Sequence, residues 1–292
     1  MPESRVITIG QFSESPVLVA AAHLGLPAEA GLTLRTERVA SSPAQFGSLA
    51  RGDLDLVITS PDNVLLYGTT ATNPLGAMLD LRMVRAIDRG LGLALVTRPE
   101  VVTTADLQAS VLGVDVTRSG FALLLYRMLG HVGVDRAAVE LRELGSTPRR
   151  AEALLAAEIG GTILNAESRV RALRAGMTAW VSSADLYPDY LGTVLAAPTG
   201  TDHDLLDRVL AVWARATDWL AHAPAAEVRE VLSRSSAELG SPEYLELLRS
   251  PALGLVEQPV VSVHDLRVLT SIRRASGAYA PDDDVLAGLV AS

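Results

Sequence analysis

The sequence predicts an α/β protein built from two consecutive βα units and closed by a helical C-terminal part. Three observations predict it. Short runs of Val, Ile and Leu recur ahead of polar turns holding Ser, Thr or Pro, and helix-forming residues follow each turn. This plan runs once from Arg5 to about Arg98 and again from Val111 to Asn165, with no residue-level repeat. From Asp202 onward apolar residues fall at helical spacing, as Leu205, Val209, Val212 and Trp213 do.

Taken in order, Arg5 to Gly10 reads as a first strand. A polar loop, Gln11 to Pro16, leads into a helix over Val17 to Leu24, with Ser15 and Pro16 as N-cap and first helical residue. Gly31 turns the chain into a strand from Leu32 to Val39, and Ser41-Ser42-Pro43 opens a second helix that runs to about Leu49. Leu54 to Ile58 is apolar and partly β-branched, as in a strand buried on both faces. It stops at Thr59-Ser60-Pro61-Asp62-Asn63, where Ser60 caps the next helix. Leu81 to Arg98 divides into two strands around Ile87-Asp88-Arg89-Gly90.

The second unit begins with a short helical start at Thr104 and a strand at Val111 to Val116. Thr117-Arg118-Ser119-Gly120 precedes a helix over Phe121 to Leu129. Val139 to Leu144 and Gly161 to Leu164 read as strands, and Ser146-Thr147-Pro148 caps the helix between them. Thr193 to Pro198 reads as a strand leaving this unit. The helical part follows, and the stretch from His264 to Arg274 adds a further helix.

Composition excludes several kinds of chemistry. The net charge of −9 over 292 residues leaves no broad basic field for nucleic acid. All positively charged side chains are Arg, and without Lys no lysine Schiff base can form. Without Cys there is no disulfide, thiolate nucleophile or cysteine metal site. The five His residues show no metal-binding spacing, and no metal or cofactor is expected. No stretch is long and uncharged enough to cross a membrane. The N-terminal residues show neither a basic n-region nor an apolar h-region, so a cytoplasmic location is expected, with a periplasmic or extracellular one only if the start was trimmed.

The order Gly10-Gln11-Phe12-Ser13-Glu14-Ser15-Pro16, Gly31-Leu32, Ser41-Ser42-Pro43 and Gly52 to Asn63 resembles the type II solute-binding proteins. The nearest branch holds the alkanesulfonate-, taurine- and thiamine-precursor-binding proteins and the thiamine-pyrimidine synthases. Asp88-Arg89-Gly90, Arg98-Pro99-Glu100, Gly113-Val114-Asp115 and Thr162-Ile163-Leu164-Asn165 continue the likeness over about residues 5 to 200. It implies two α/β lobes, each a mainly parallel sheet flanked by helices, closing like a flytrap on a ligand. Crossovers are expected near Thr97-Arg98-Pro99 and Val194 to Pro198. The first lobe would then span 1–97, the second 98–194, and 195–292 would return to the first lobe with the C-terminal helices. The thiamine-pyrimidine synthases consume a Lys-bound pyridoxal phosphate and use His and Cys; this chain's lack of Lys and Cys argues against that activity.

Within that frame the polar residues at strand ends are the ligand candidates. Ser13 and Ser15 precede one helix, Ser60 and Asn63 open another, and helix N–H groups beside them suit an anionic or polar group. Phe12 could flank a flat ligand. Asp88 and Arg89 interrupt an apolar neighbourhood, and Arg89 could grip a carboxylate or sulfonate. Thr117, Arg118 and Ser119 precede the first long helix of the second unit, where Arg118 with helix N–H donors makes the best anion site in the sequence. Asn165 ends a strand. The competing reading is capping for Ser15 and Ser60, with contact favoured at Ser60, an exposed Arg near a helix start for Arg118, and packing for His23.

The function expected is therefore a protein that binds a small polar or anionic organic ligand, with an ABC permease as partner if it serves transport. The alternative is a cytoplasmic, cofactor-independent lyase, a decarboxylase or dehydratase on a carboxylated metabolite. Its acid–base group would come from Glu14, His23, Asp62 or Glu167.

Overall fold

In a computed structural model that describes residues 4–256 and 259–290, the chain builds two five-stranded sheets. The first unit runs β1 (Arg5–Gln11), α1 (Pro16–His23), α2 (Leu26–Glu29), β2 (Leu32–Arg38), α3 (Ser42–Arg51), β3 (Leu56–Thr59), α4 (Pro61–Thr69) and β4 (Leu81–Asp88). The second begins with β5 (Ala94–Thr97), α5 (Thr104–Gln108), β6 (Val111–Val114) and α6 (Gly120–His131). It continues through β7 (Glu140–Glu143), α7 (Thr147–Leu155), β8 (Gly161–Leu164), α8 (Ala166–Arg174), β9 (Thr178–Ser182) and α9 (Ser183–Leu186). Then come β10 (Thr193–Pro198), α10 (His203–His222), α11 (Ala225–Ser233), α12 (Pro242–Arg249), α13 (Val263–Ala275) and α14 (Asp283–Ala287).

The strand orders are β2-β1-β3-β10-β4 and β7-β6-β8-β5-β9. In each sheet four strands share a direction and the fourth in order is reversed: β10 lies antiparallel between β3 and β4, β5 between β8 and β9. The inner strands β3, β5 and β8 are buried at every residue, which is why they read as continuous apolar runs. The edge strands β2 and β7 carry Arg and Glu on mostly exposed positions, which discourages pairing with another chain.

The crossovers fall elsewhere than the sequence suggests. Ala94–Thr97 belongs to the second sheet and Thr193–Pro198 to the first, so the chain passes between sheets at residues 89–93 and 183–192. An apolar, β-branched strand suits the middle of either sheet, and its sequence does not say which. The two connections lie against each other. The Gly192 N–H donates to the Asp88 carbonyl at 2.9 Å, and a Cβ at Gly192 would collide with the Gly90 backbone.

One apolar core runs through both lobes, joining Val57, Val64 and Met83 of the first to Leu112, Leu124 and Ile163 of the second. A second core lies where α10 packs on α1, around Val17, Val209 and Trp213. The C-terminal part returns to the first lobe through α10. It also touches the second, because α12 packs on α8 and α13 on α6.

Candidate functional site

A cavity of about 980 Å³, part of it open to solvent, lies between the two sheets. Each βα turn that faces it ends a strand and starts a helix, so polar residues and free backbone N–H groups arrive at the same place. Five helices begin there. Their N-cap residues Ser15 (α1), Ser60 (α4), Ser119 (α6), Ser146 (α7) and Asn165 (α8) all line the cavity. Two of these side chains are occupied locally: Ser60 Oγ accepts from the Asp62 N–H at 3.1 Å and Ser119 Oγ from the Ala122 N–H at 3.2 Å. Those of Ser15, Ser146 and Asn165 make no capping bond.

The walls differ in charge. On the first lobe Phe12, Ser13 and Ser15 come from the β1–α1 turn, and Ser60 and Asn63 from the β3–α4 turn. The Asn63 amide donates to Thr59 Oγ1 at 3.0 Å. Glu14 also lines the cavity, with its carboxylate 3.4 Å from Arg38. On the second lobe Asp115, Ser146, Thr147, Arg150 and Asn165 line the wall.

Arg150 is 1% exposed and held on all sides. It donates to Thr162 Oγ1 (3.2 Å), the Gly145 carbonyl (2.6 Å), Thr147 Oγ1 (3.0 Å) and the Ile163 carbonyl (3.2 Å). Burial lowers its pKa to about 10, opposed by nearby Asp115, so it stays charged at neutral pH. Burial raises the Asp115 carboxyl; Arg150 works against that and Glu143 adds to it. One Asp115 carboxylate oxygen is enclosed with no hydrogen-bond partner among the described residues.

The connections and the C-terminal part supply the remaining wall. Asp88, 3% exposed, accepts from the Gly90 N–H at 2.7 Å, and burial pushes its carboxyl up to about 6 against the pull of Thr193 and Gly90. Tyr244, from α12, is 1% exposed, and its hydroxyl has no partner among the described residues. Leu91 (φ 45°) and Ala166 (φ 49°) adopt left-handed backbone and also line the cavity. The Ala166 N–H donates to the Leu91 carbonyl at 2.8 Å. Strained residues in such a place mark a position fixed by its surroundings.

The structure therefore brings Phe12, Ser13, Ser15, Ser60, Asn63, Asp88, Ser119 and Asn165 together, with Glu14 beside them. Other expected contacts fall elsewhere. Arg118 is exposed and off the wall, because the cap residue Ser119 takes the inward position of its turn. Thr117 is exposed, its N–H donating to Glu143 at 2.7 Å. Arg89 is outside the lining, with its backbone bonded to Gly254.

Three of the four acid–base candidates also lie off the wall. Asp62 is buried in an ion pair with Arg273 of α13 at 2.7 Å. His23 is exposed and rests against Trp219, ring centroids 5.8 Å apart. Glu167 is half-buried behind the wall and accepts from Ser236 at 3.3 Å; burial raises its carboxyl and Arg38 opposes this. Sequence reasoning missed Arg150 and Tyr244 as site residues. Arg149-Arg150 on a helix does not show which guanidinium turns inward, and Tyr244 reads as one residue of an amphipathic helix.

The lobes touch across the cleft. A Cβ at Gly120 of α6 would collide with Asp62 of α4, and one at Gly145 would lie 3.3 Å from the Ala40 carbonyl.

A model of the NMT1-like family matches residues 2–234. No curated protein sequence matches the chain. Among solved structures, the alkanesulfonate-binding protein SsuA from Xanthomonas axonopodis, bound to MOPS, superposes with a TM-score of 0.74 at 17% identity, covering 97% of this chain and 96% of that one. The periplasmic nitrate-binding protein NrtA from Synechocystis gives 0.78 at 12% identity, over 98% and 86%. An ABC transporter protein from Parabacteroides distasonis gives 0.65 at 15% identity, over 98% and 99%. These likenesses establish the fold: two α/β lobes of the periplasmic-binding-protein kind.

Proposed function

The chain belongs to the NMT1-like family, and from that premise we propose that it binds a small polar or anionic organic solute by closing two lobes upon it. One observation carries the reading: five helix N-termini, two from the first lobe and three from the second, end on one cavity. Their N–H groups and dipoles favour a ligand with acceptor or negative character. The solute-binding likenesses support it, and the ABC transporter likeness makes a permease the proposed partner.

The test is a panel of small carboxylates, sulfonates and polar neutral solutes, read by thermal unfolding and by the radius of gyration in solution. A binding solute raises Tm and reduces the radius as the lobes close. A panel without any shift, including natural metabolite extracts, sinks the reading.

Asp88 keeps a second reading open. A buried carboxyl held at about 6 in the cavity is suited to proton transfer near neutrality, as the lyase alternative requires. Mass analysis of a bound solute decides: loss of CO2 or water supports the lyase, and unchanged recovery supports binding alone.

A further inference from the structure

A second hollow, of about 940 Å³ and partly open to solvent, lies between α8 of the second lobe and α12 with residues 250–253. None of its lining residues lines the cleft. An ion pair joins its two sides, from Arg174 Nη2 to Glu243 at 2.8 Å. The first connection between the sheets lies against it. A Cβ at Gly92 would fall 2.7 Å from Arg169 Nη1 and 2.8 Å from Leu247 Cδ2.

Arg169 is the group in this hollow without a match. It is half-buried, its Nε is enclosed, and its side chain makes no hydrogen bond or ion pair among the described residues. Burial lowers its pKa, and no charged neighbour works against that among the described residues. Arg150, by contrast, is buried more deeply and gives its donors to four acceptors. A guanidinium stripped of water without acceptors in exchange costs stability, and Arg169 borders a space where an acceptor could sit. The chain's own carboxylates do not fill it. Glu243 is taken by Arg174, and Glu246, exposed on the same rim, forms no ion pair among the described residues. Leu173, Leu247 and Leu253 also line the hollow, each only half-buried, so apolar surface and an unmatched positive charge share one place.

We propose that this hollow is a second small-molecule site and that it takes an aliphatic monocarboxylate, with the carboxylate on Arg169 and the chain over Leu173, Leu247 and Leu253. The head forms charge-assisted hydrogen bonds to the guanidinium, and the chain removes the leucines from water. A neutral alcohol of the same length leaves the guanidinium unmatched, and acetate leaves the leucines uncovered. A dicarboxylate brings a second negative charge toward Glu246. The site does not depend on the reading of the cleft, because the two share no lining residue, and failure of either leaves the other standing.

The probe is hexanoate, titrated into the full chain labelled at its Ile, Leu and Val methyl groups and followed by NMR. Saturable shifts are expected at Leu173, Leu247 and Leu253, without shifts at Ile58 and Ile87 of the cleft. Hexanol, acetate and adipate should each bind at least about tenfold more weakly. Arg169→Gln should weaken hexanoate by about tenfold while leaving hexanol unchanged. Glu246→Gln changes only an exposed residue, so it tests the site even where Arg169→Gln perturbs the fold. It should tighten hexanoate and narrow the gap to adipate. Hexanol binding as tightly as hexanoate reduces the hollow to an apolar patch and overturns the proposal. So do shifts at Ile58 and Ile87 in place of the leucines, hexanoate affinity that survives Arg169→Gln, or no saturable shift at millimolar hexanoate.

Discussion

In the first lobe, the turns after β1 and β3 bring hydroxyls and an amide to the cleft, and the charged groups beside them are already matched: Glu14 with Arg38, Asp62 with Arg273. In the second lobe, the equivalent turns after β6 and β7 bring Asp115 and Arg150 to the wall itself. The two sheets have the same strand order pattern and the same reversed fourth strand. Topology therefore delivers helix N-termini to both sides alike, while charge is a local choice of one turn. On the proposed reading, the fold would supply a place for polar ligands in general and the second lobe would decide which.

Removing the paired charges tests that division most strongly. Asp62→Ala leaves Arg273 buried without its partner and should cost about 3–5 kcal/mol in urea unfolding. Arg150→Met strips donors from two backbone carbonyls and two hydroxyls and should cost at least about 3 kcal/mol. The contrast comes in ligand response: second-site suppression of Asp62→Ala by Arg273→Met should restore stability and binding together, since that pair is structural. No equivalent apolar replacement should restore binding in the second lobe.

Asp88 sits between the lobes and gives the next largest effect. An acid whose folded pKa exceeds its unfolded value keeps its proton more tightly when folded, so unfolding releases protons in the window between the two. With a rise from 3.8 to about 6, this group's contribution is most favourable below about pH 4 and is lost as pH climbs through 6. The loss is about 3 kcal/mol at most, from 1.36 kcal/mol per unit. Asp88→Asn keeps an acceptor for the Gly90 N–H and should flatten the stability profile between about pH 4 and 6, making the protein more stable than wild type at pH 7.5. An unchanged slope would show that Asp88 ionises freely in the folded chain.

Two smaller effects separate contact from capping. Gly120→Ala forces the start of α6 away from Asp62, so the radius of gyration should rise and solute affinity fall about tenfold, roughly 1.4 kcal/mol. Ser119→Ala removes a made cap bond and should cost about 1 kcal/mol of stability, whereas Ser15→Ala, whose hydroxyl makes none, should cost less than about 0.5 kcal/mol and act on ligand binding instead.

Much of the fold was readable because its signals are local. The strand at Leu56–Thr59 followed by Ser60-Pro61 shows strand end, N-cap and helix start in consecutive residues, and β1–α1 shows the same signs across the short loop Phe12-Ser13-Glu14. What escaped depends on partners far along the chain. Sheet membership of β5 and β10 is set by pairing across the molecule, and α8, polar along most of its length, gives little periodic signal. The site shows the same split. Cap residues such as Ser60 and Ser119 declare themselves by position, but whether Arg118 or Arg150 turns inward depends on packing around each helix start. Asp62 shows the hazard: a carboxylate at a strand end on the cleft's edge, claimed by a helix more than two hundred residues away.

The crossing of the two connections has a consequence for how selectivity is distributed. Backbone lies on backbone where Gly90 meets Gly192, as two blades meet at a rivet. Rotation about such a point moves the rim of the jaws far and the throat hardly at all. Under the proposed closure, the portion of a solute near Asp88 and Thr193 would meet nearly the same walls at any opening angle, so its shape would be read strictly. Under the same closure, walls farther from this contact would change their spacing with the opening angle, and length and bulk would be tolerated there.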